Sequence, residues 1–140
     1  AAPIGDVKPD LKSLHLLLAE DNELNSEIAV TLLEEQGAKV TAVVNGKEAL
    51  EAMQNAAPHT YDAILMDVMM PEMNGLEATR CIRAFEGKGP DEGTPIIAMT
   101  ANVFADDVKS CLDAGMNSHV GKPLDMKILM REILKYTNRK

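Results

Sequence analysis

Five polar residues of this chain stand where short apolar runs give way to turn-forming segments. Asp67 closes Tyr-Asp-Ala-Ile-Leu-Met-Asp, and Val-Met-Met-Pro-Glu-Met-Asn-Gly follows it. Glu20 and Asp21 follow Leu-His-Leu-Leu-Leu-Ala, Thr100 follows Pro-Ile-Ile-Ala-Met, and Lys122 follows Asn-Ser-His-Val-Gly. Three carboxylates brought within a few ångströms would not all stay ionised unaided. A divalent cation resolves that conflict, and oxygen ligands without His or Cys point to magnesium. An Asp beside such an ion can attack a phosphoryl group and form an acyl phosphate. Lys122 would supply a point charge for the transferring group, and the Thr100 hydroxyl could reach one of its oxygens. The set therefore predicts a metal-assisted phosphoryl acceptor, provided one sheet edge gathers it.

The elements needed for that gathering can be read from periodicity. Leu14–Ala19, Lys39–Val44, Ala63–Met66, Pro95–Met99 and Ser118–Val120 read as strands. Between and after them lie helical patterns. Asn22 caps the first, which runs to about Gln36 with Leu24, Ile28, Leu32 and Glu35 as its mostly apolar stripe, and Gly37 ends it. The others are Lys47–Asn55 (Ala49, Leu50 and Met53 inward), Gly75–Phe85 (Leu76, Ala78, Thr79 and Ile82 inward), Asp106–Ala114, and a helix capped by Asp125 that runs to about Tyr136. Glu86–Gly93, with three Gly and a Pro, reads as a mobile surface loop. Strands alternating with helices predict an α/β fold, a five-stranded parallel sheet with five helices on both faces. Under the doubly wound order 2-1-3-4-5 the switch point lies between the first and third strands, whose ends carry Glu20, Asp21 and Asp67.

At 140 residues the chain holds one sizeable domain. Residues 1–13, with two Pro and no periodicity, read as a linker or an appended remnant, and 14–140 as the domain. Hydrophobic residues at 46% and charged ones at 26% mark a globular composition. With no Trp, two Phe and two Tyr, the core must be aliphatic. A net charge of -8 argues against nucleic acid as the partner but suits acids crowded around a cation. No apolar run approaches the roughly 18 residues of a membrane span, and no leader pattern opens the chain. Cys81 and Cys111 are too far apart and too unaccompanied for a metal or redox pair, and read as reduced thiols.

Leu-Leu-Ala-Glu-Asp-Asn-Glu-Leu-Asn, Asn-Gly-Lys-Glu-Ala-Leu, Asp-Ala-Ile-Leu-Met-Asp-Val-Met-Met-Pro-Glu-Met-Asn-Gly, Pro-Ile-Ile-Ala-Met-Thr-Ala-Asn and Gly-Lys-Pro-Leu together resemble a response-regulator receiver domain. Ala-Thr-Arg-Cys-Ile-Arg followed by Met-Thr-Ala-Asn resembles the receivers of hybrid sensor histidine kinases. The likeness covers about Leu14 to Tyr136. It implies a flavodoxin-like fold in which Asp67 takes phosphate from a phosphohistidine on a histidine kinase or a histidine phosphotransfer domain. It further implies that Glu20, Asp21, Asp67 and the Met69 backbone carbonyl hold Mg2+. Thr100 and Lys122 would bind the phosphoryl group with the Met69 and Ala101 amides, and Lys122–Pro123 would be cis. The compartment implied is the cytoplasm, whether for a free regulator or for the cytoplasmic part of a membrane-anchored kinase. Neither nucleic acid nor membrane would touch this domain.

One position departs from that pattern. Where receivers usually carry Tyr or Phe as a partner to the Thr100 switch, this chain has His119, either a smaller, pH-dependent switch or an ordinary partly exposed His. Phe104 lies too early to replace it. Two other functions compete. A magnesium-dependent phosphohydrolase would want an acid two residues after its Asp nucleophile, and Met69 stands there. A binding module that never carries phosphate would be expected to have lost Asp67, Thr100 or Lys122. His15 and His59 lack partner motifs, Asp106-Asp107 suit a helix start, and Arg80 and Arg83 read as a solvated face.

Overall fold

Strands covered on both faces carry apolar residues without alternation, and two of the three inner strands, β3 (Ala63–Asp67) and β4 (Ile96–Thr100), are buried at every position. The computed structural model describes residues 11–57, 59–70, 73–100, 105–122 and 124–137. The remaining elements are β1 (His15–Ala19), α1 (Glu23–Glu35), β2 (Lys39–Val43), α2 (Gly46–Asn55), α3 (Gly75–Glu86), α4 (Ala105–Ala114), β5 (Ser118–Gly121) and α5 (Met126–Thr137). All pairings are parallel and the order is β2-β1-β3-β4-β5, as predicted.

Alternate residues of each strand serve opposite faces, so the sheet has two cores. Leu16, Leu18, Leu65, Ile97 and Val120 meet Ala29 and Leu33 of α1 and Leu129 and Ile133 of α5. Leu17, Ala19, Ile64, Met66, Ile96 and Ala98 meet Ala49 of α2, Ala78 and Ile82 of α3, and Cys111 of α4. Caps set the helix starts: Asn22, Asn45 and Asn74 accept from the Asn25, Glu48 and Glu77 amides at 2.8–2.9 Å. Gly115, at φ 108°, turns the chain after α4 into a conformation that a side chain would strain.

Four expectations need correction. The stripe Leu24–Ile28–Leu32–Glu35 does not face the sheet: Leu24 is 64% exposed and Ile28 50%. The neighbouring stripe through Ala29 and Leu33 turns inward, because a small residue lets the helix lie close on the strands. Most of residues 1–13 lie outside the described residues, but Leu11 is fully buried within the α1–α5 core, and its amide bonds the Gln36 carbonyl at 2.8 Å. Leu11 therefore counts with the core and not with a linker.

Arg83 is the third. Arg80 is solvated as expected, but Arg83 is only 9% exposed. Its guanidinium donates to the Gly115 carbonyl at 2.9 Å, the Thr94 carbonyl at 2.8 Å, Asn117 Oδ1 at 2.9 Å and Glu86 Oε1 at 2.9 Å. Glu86 Oε2 in turn accepts from the Thr94 amide and hydroxyl, and Asn117 Nδ2 donates to the Pro90 carbonyl. The segment expected to be a mobile loop is the fourth, since it is thus tied to α3 and to the turn between α4 and β5. Removing one partner of a buried charged network leaves the others unsatisfied. Arg83→Ala is expected to lower stability in urea by about 3 kcal/mol, and Arg80→Ala by no more than about 0.5 kcal/mol. Equal effects would show that the network carries no special weight.

Candidate functional site

The carboxyl ends of β1 and β3 are neighbours in the sheet, and this adjacency brings the acids together. Glu20 and Asp21 occupy the turn from β1 into α1, and Asp67 is the last residue of β3. One carboxylate oxygen from each of Glu20, Asp21 and Asp67 lies within 4.8 Å of the other two. Glu20 and Asp67 are buried, while Asp21 is exposed. The donor set is all hard oxygen and open to solvent on one side, which fits a magnesium ion that keeps part of its water shell.

Lys122 follows β5 and reaches back across β4. Its Nζ donates to Glu20 Oε2 at 3.1 Å and to Asp67 Oδ2 at 3.0 Å. The Lys122 amide donates to the Thr100 carbonyl at 2.9 Å, which fixes the start of that reach. The second oxygens are held locally: Met69 N–H donates to Asp67 Oδ1 at 3.2 Å and Asn22 N–H to Glu20 Oε1 at 3.1 Å. The Asp21 carboxylate accepts no hydrogen bond from a described residue, so of the three it is the one most free to take a ligand.

Thr100 ends β4 one strand from Asp67, 7% exposed, on the same sheet edge. Met69 sits beyond Asp67, 78% exposed, with its amide turned to the Asp67 carboxylate. Ala101, Phe104 and Pro123 lie outside the described residues, as do the side chains of Asp106 and Asp107. His119 is half-buried in β5, paired with Ala98, and its side chain bonds no described residue. His15 is structural: its Nε2 and Thr41 Oγ1 are 2.7 Å apart and its ring lies 4.7 Å from that of Tyr61. Reading strand ends missed Arg83, although Thr79, Ile82, Arg83 and Glu86 share one helical stripe and a period count would have placed it inward.

Burial, opposed by the Lys122 hydrogen bond and reinforced by the Glu20 charge, raises the Asp67 carboxyl from 3.8 to about 6. Lys122 is also raised: burial works against its charge, but the hydrogen bonds and charges of Asp67 and Glu20 outweigh that. For an acid whose folded pKa lies above the unfolded value, folding favours the protonated form. Its stabilising share is complete below pH 3.8 and is lost as pH rises through about 6. Without divalent cations, Asp67→Asn should be more stable than the unmodified chain at neutral pH by about 1–3 kcal/mol. Urea unfolding across that range should show the gap closing toward acid, and a gap independent of pH would contradict the assignment.

Comparison with known proteins agrees with this geometry. The sequence model of the response regulator receiver domain matches residues 16–134. The sensor protein GacS of Pseudomonas syringae pv. syringae is 40% identical over 134 residues, covering 94% of this chain but 14% of that protein. The chain thus spans about one seventh of the length of the curated relatives it matches. Among solved structures, the receiver domain of sensor histidine kinase PA1611 from Pseudomonas aeruginosa PAO1, with a magnesium ion in its active site cleft, superposes with a TM-score of 0.77 at 37% identity. That match covers 89% of this chain and 98% of the other. A co-crystal structure of the Saccharomyces cerevisiae histidine phosphotransfer protein Ypd1 with the receiver domain of its downstream response regulator Ssk1 matches with a TM-score of 0.80 at 27% identity, over 95% and 92% of the two chains. The chain belongs to the response regulator receiver domain family and is a receiver domain of two-component phosphorelay signalling.

Proposed function

We propose that Asp67 is the phosphoacceptor and that its donor is a phosphohistidine on a histidine kinase or a histidine phosphotransfer domain. The observation that carries this reading is the gathering of Glu20, Asp21 and Asp67 within 4.8 Å, with Lys122 Nζ bonded to two of them. Glu20, Asp21, Asp67 and the Met69 carbonyl would hold Mg2+, which when bound offsets negative charge on the phosphoryl oxygens. An Asp67 carboxylate oxygen attacks phosphorus, the N–P bond breaks, and the imidazole leaves with the electron pair. Lys122 and Thr100, with the Met69 and Ala101 amides, hold the phosphoryl oxygens in this reading. Later attack by water returns Asp67 and releases inorganic phosphate. The domain turns over no external metabolite, acts in the cytoplasm, and needs neither nucleic acid nor membrane. Among the described residues no helix is long and apolar enough to cross a membrane.

The correction to α1 supplies a docking face. Leu24, Ile28 and Leu32 line a shallow groove of about 290 Å³ with Glu27 and Thr31, on the helix that starts beside Asp21. A donor that sets its phosphohistidine over Asp67 would cover this exposed apolar strip. The magnesium-bearing receiver and the Ypd1–Ssk1 complex support both halves of the reading.

Intact mass tests the acceptor. Incubation with acetyl phosphate and Mg2+ should add about 80 Da, with no adduct in EDTA or in Asp67→Asn. Absence of the adduct from the unmodified chain would sink the reading. The docking face has its own test. Ile28→Asp should slow transfer from a phosphorylated histidine phosphotransfer domain by about tenfold or more, yet label with acetyl phosphate as before. Equal transfer rates would remove α1 from the interface.

A further inference from the structure

Val68 to Met70, after β3, carry the Met69 groups assigned above, and a different helix grips Met73, just before α3. The amide of Gly46, the first residue of α2, donates to the Met73 carbonyl at 3.0 Å. Gly46 is buried, and no side chain fits there: a Cβ would overlap the Met73 carbonyl oxygen and lie 3.0 Å from the Asn74 carbonyl oxygen and 2.9 Å from the Ala78 Cβ. Its φ is outside the left-handed region, so space and not backbone conformation demands glycine. The first turn of α2 is itself fixed, since Asn45 Oδ1 accepts from the Glu48 amide and Glu48 Oε1 from the Val44 amide.

A second close approach follows directly. The Gly75 amide donates to the Val68 carbonyl at 3.0 Å, and a Cβ on Gly75 would overlap the Asp67 carbonyl oxygen and come within 3.0 Å of the Val68 Cα. The start of α2 therefore presses on Met73–Asn74, and the start of α3 presses on Asp67–Val68. Both contacts are backbone against backbone, which cannot swing aside as a side chain can. Close-packed groups of this kind pass a displacement on.

We propose that Gly46 is a positioning residue for the acceptor loop. Its amide and its missing side chain set where Met73 stands and, through Asn74 and the Gly75 contact, where Asp67 and Val68, and so Met69, stand. They thereby set the affinity of the site for Mg2+. Gly46 touches no ligand, and the inference rests on the reading in which Asp67 and the Met69 carbonyl hold the ion.

Calorimetric titration of the full chain with Mg2+ tests this, using Gly46→Ala, Gly93→Ala and Gly89→Ala. A Cβ at Gly93 meets Arg83 Nη1 and Glu86 Oε1 at 2.5 Å, a close approach to side-chain ends of the Arg83 network far from the acids, whereas at Gly89 it meets nothing. Gly46→Ala should bind Mg2+ about tenfold more weakly, the scale on which outer-shell changes act at metal sites. Gly93→Ala should lose stability but keep its affinity, and Gly89→Ala should keep both. Unchanged affinity in Gly46→Ala, or equal weakening in Gly93→Ala, overturns the proposal. No Mg2+ binding by the unmodified chain would instead overturn the reading of the site. If Gly46→Ala does not fold, amide NMR of the unmodified chain decides: the Gly46 resonance must follow the same Mg2+ titration curve as that of Met69. A Gly46 resonance that stays fixed at saturation overturns the proposal.

Discussion

Negative charge crowded at one edge of the sheet is the constraint around which this domain is organised. Two buried carboxylates, Glu20 and Asp67, and a third at the surface converge because β1 and β3 are adjacent. Asp67 loses solvation there, and the charge of Glu20 adds to the cost of ionising it. The ammonium of Lys122 offsets part of that cost without filling the space that Asp21 leaves open to solvent. A buried pair of carboxylates bridged by one ammonium thus sits beside a third that faces solvent.

A two-sided sheet is what makes such crowding tolerable. Large aliphatic side chains on β1, β3 and β4 bury both faces, so the strand ends are held by cores on either side and not by the acids themselves. At the opposite end of β4, the Arg83 cluster joins α3, the segment before β4 and the turn before β5 into one hydrogen-bonded unit. The Arg83 cluster and the two cores thus lie away from the edge that gathers Glu20, Asp21 and Asp67.

Much of this was legible in the sequence, for identifiable reasons. Strands covered on both faces are unbroken apolar runs, so their ends, and with them Glu20, Asp67, Thr100 and Lys122, stand out. The strand order was not visible in any periodicity and came from the doubly wound pattern. The orientation of α1 misled because two stripes compete: Leu24–Ile28–Leu32 is the more apolar, but Ala29–Leu33 is the one that fits against the strands. Arg83 was hidden by its charge, since a guanidinium is expected in water unless the carbonyls and amide that can satisfy it are known. The contact of Gly46 with Met73 joins two loops distant in sequence, and only the folded backbone reveals it.

The reach of Lys122 has a consequence for how the domain comes into being. Its amine lies 102 residues from Glu20 along the chain and 55 from Asp67. During synthesis all three acids emerge long before the cation that balances two of them. The parallel pairings between them are slow to form because each needs a long crossover to close. A half-made chain therefore displays Glu20 and Asp67 without the ammonium that bonds both in the finished fold. The ion pairs of the site close only once β5 has set Lys122 in place, so this cluster is among the last features of the fold to be completed.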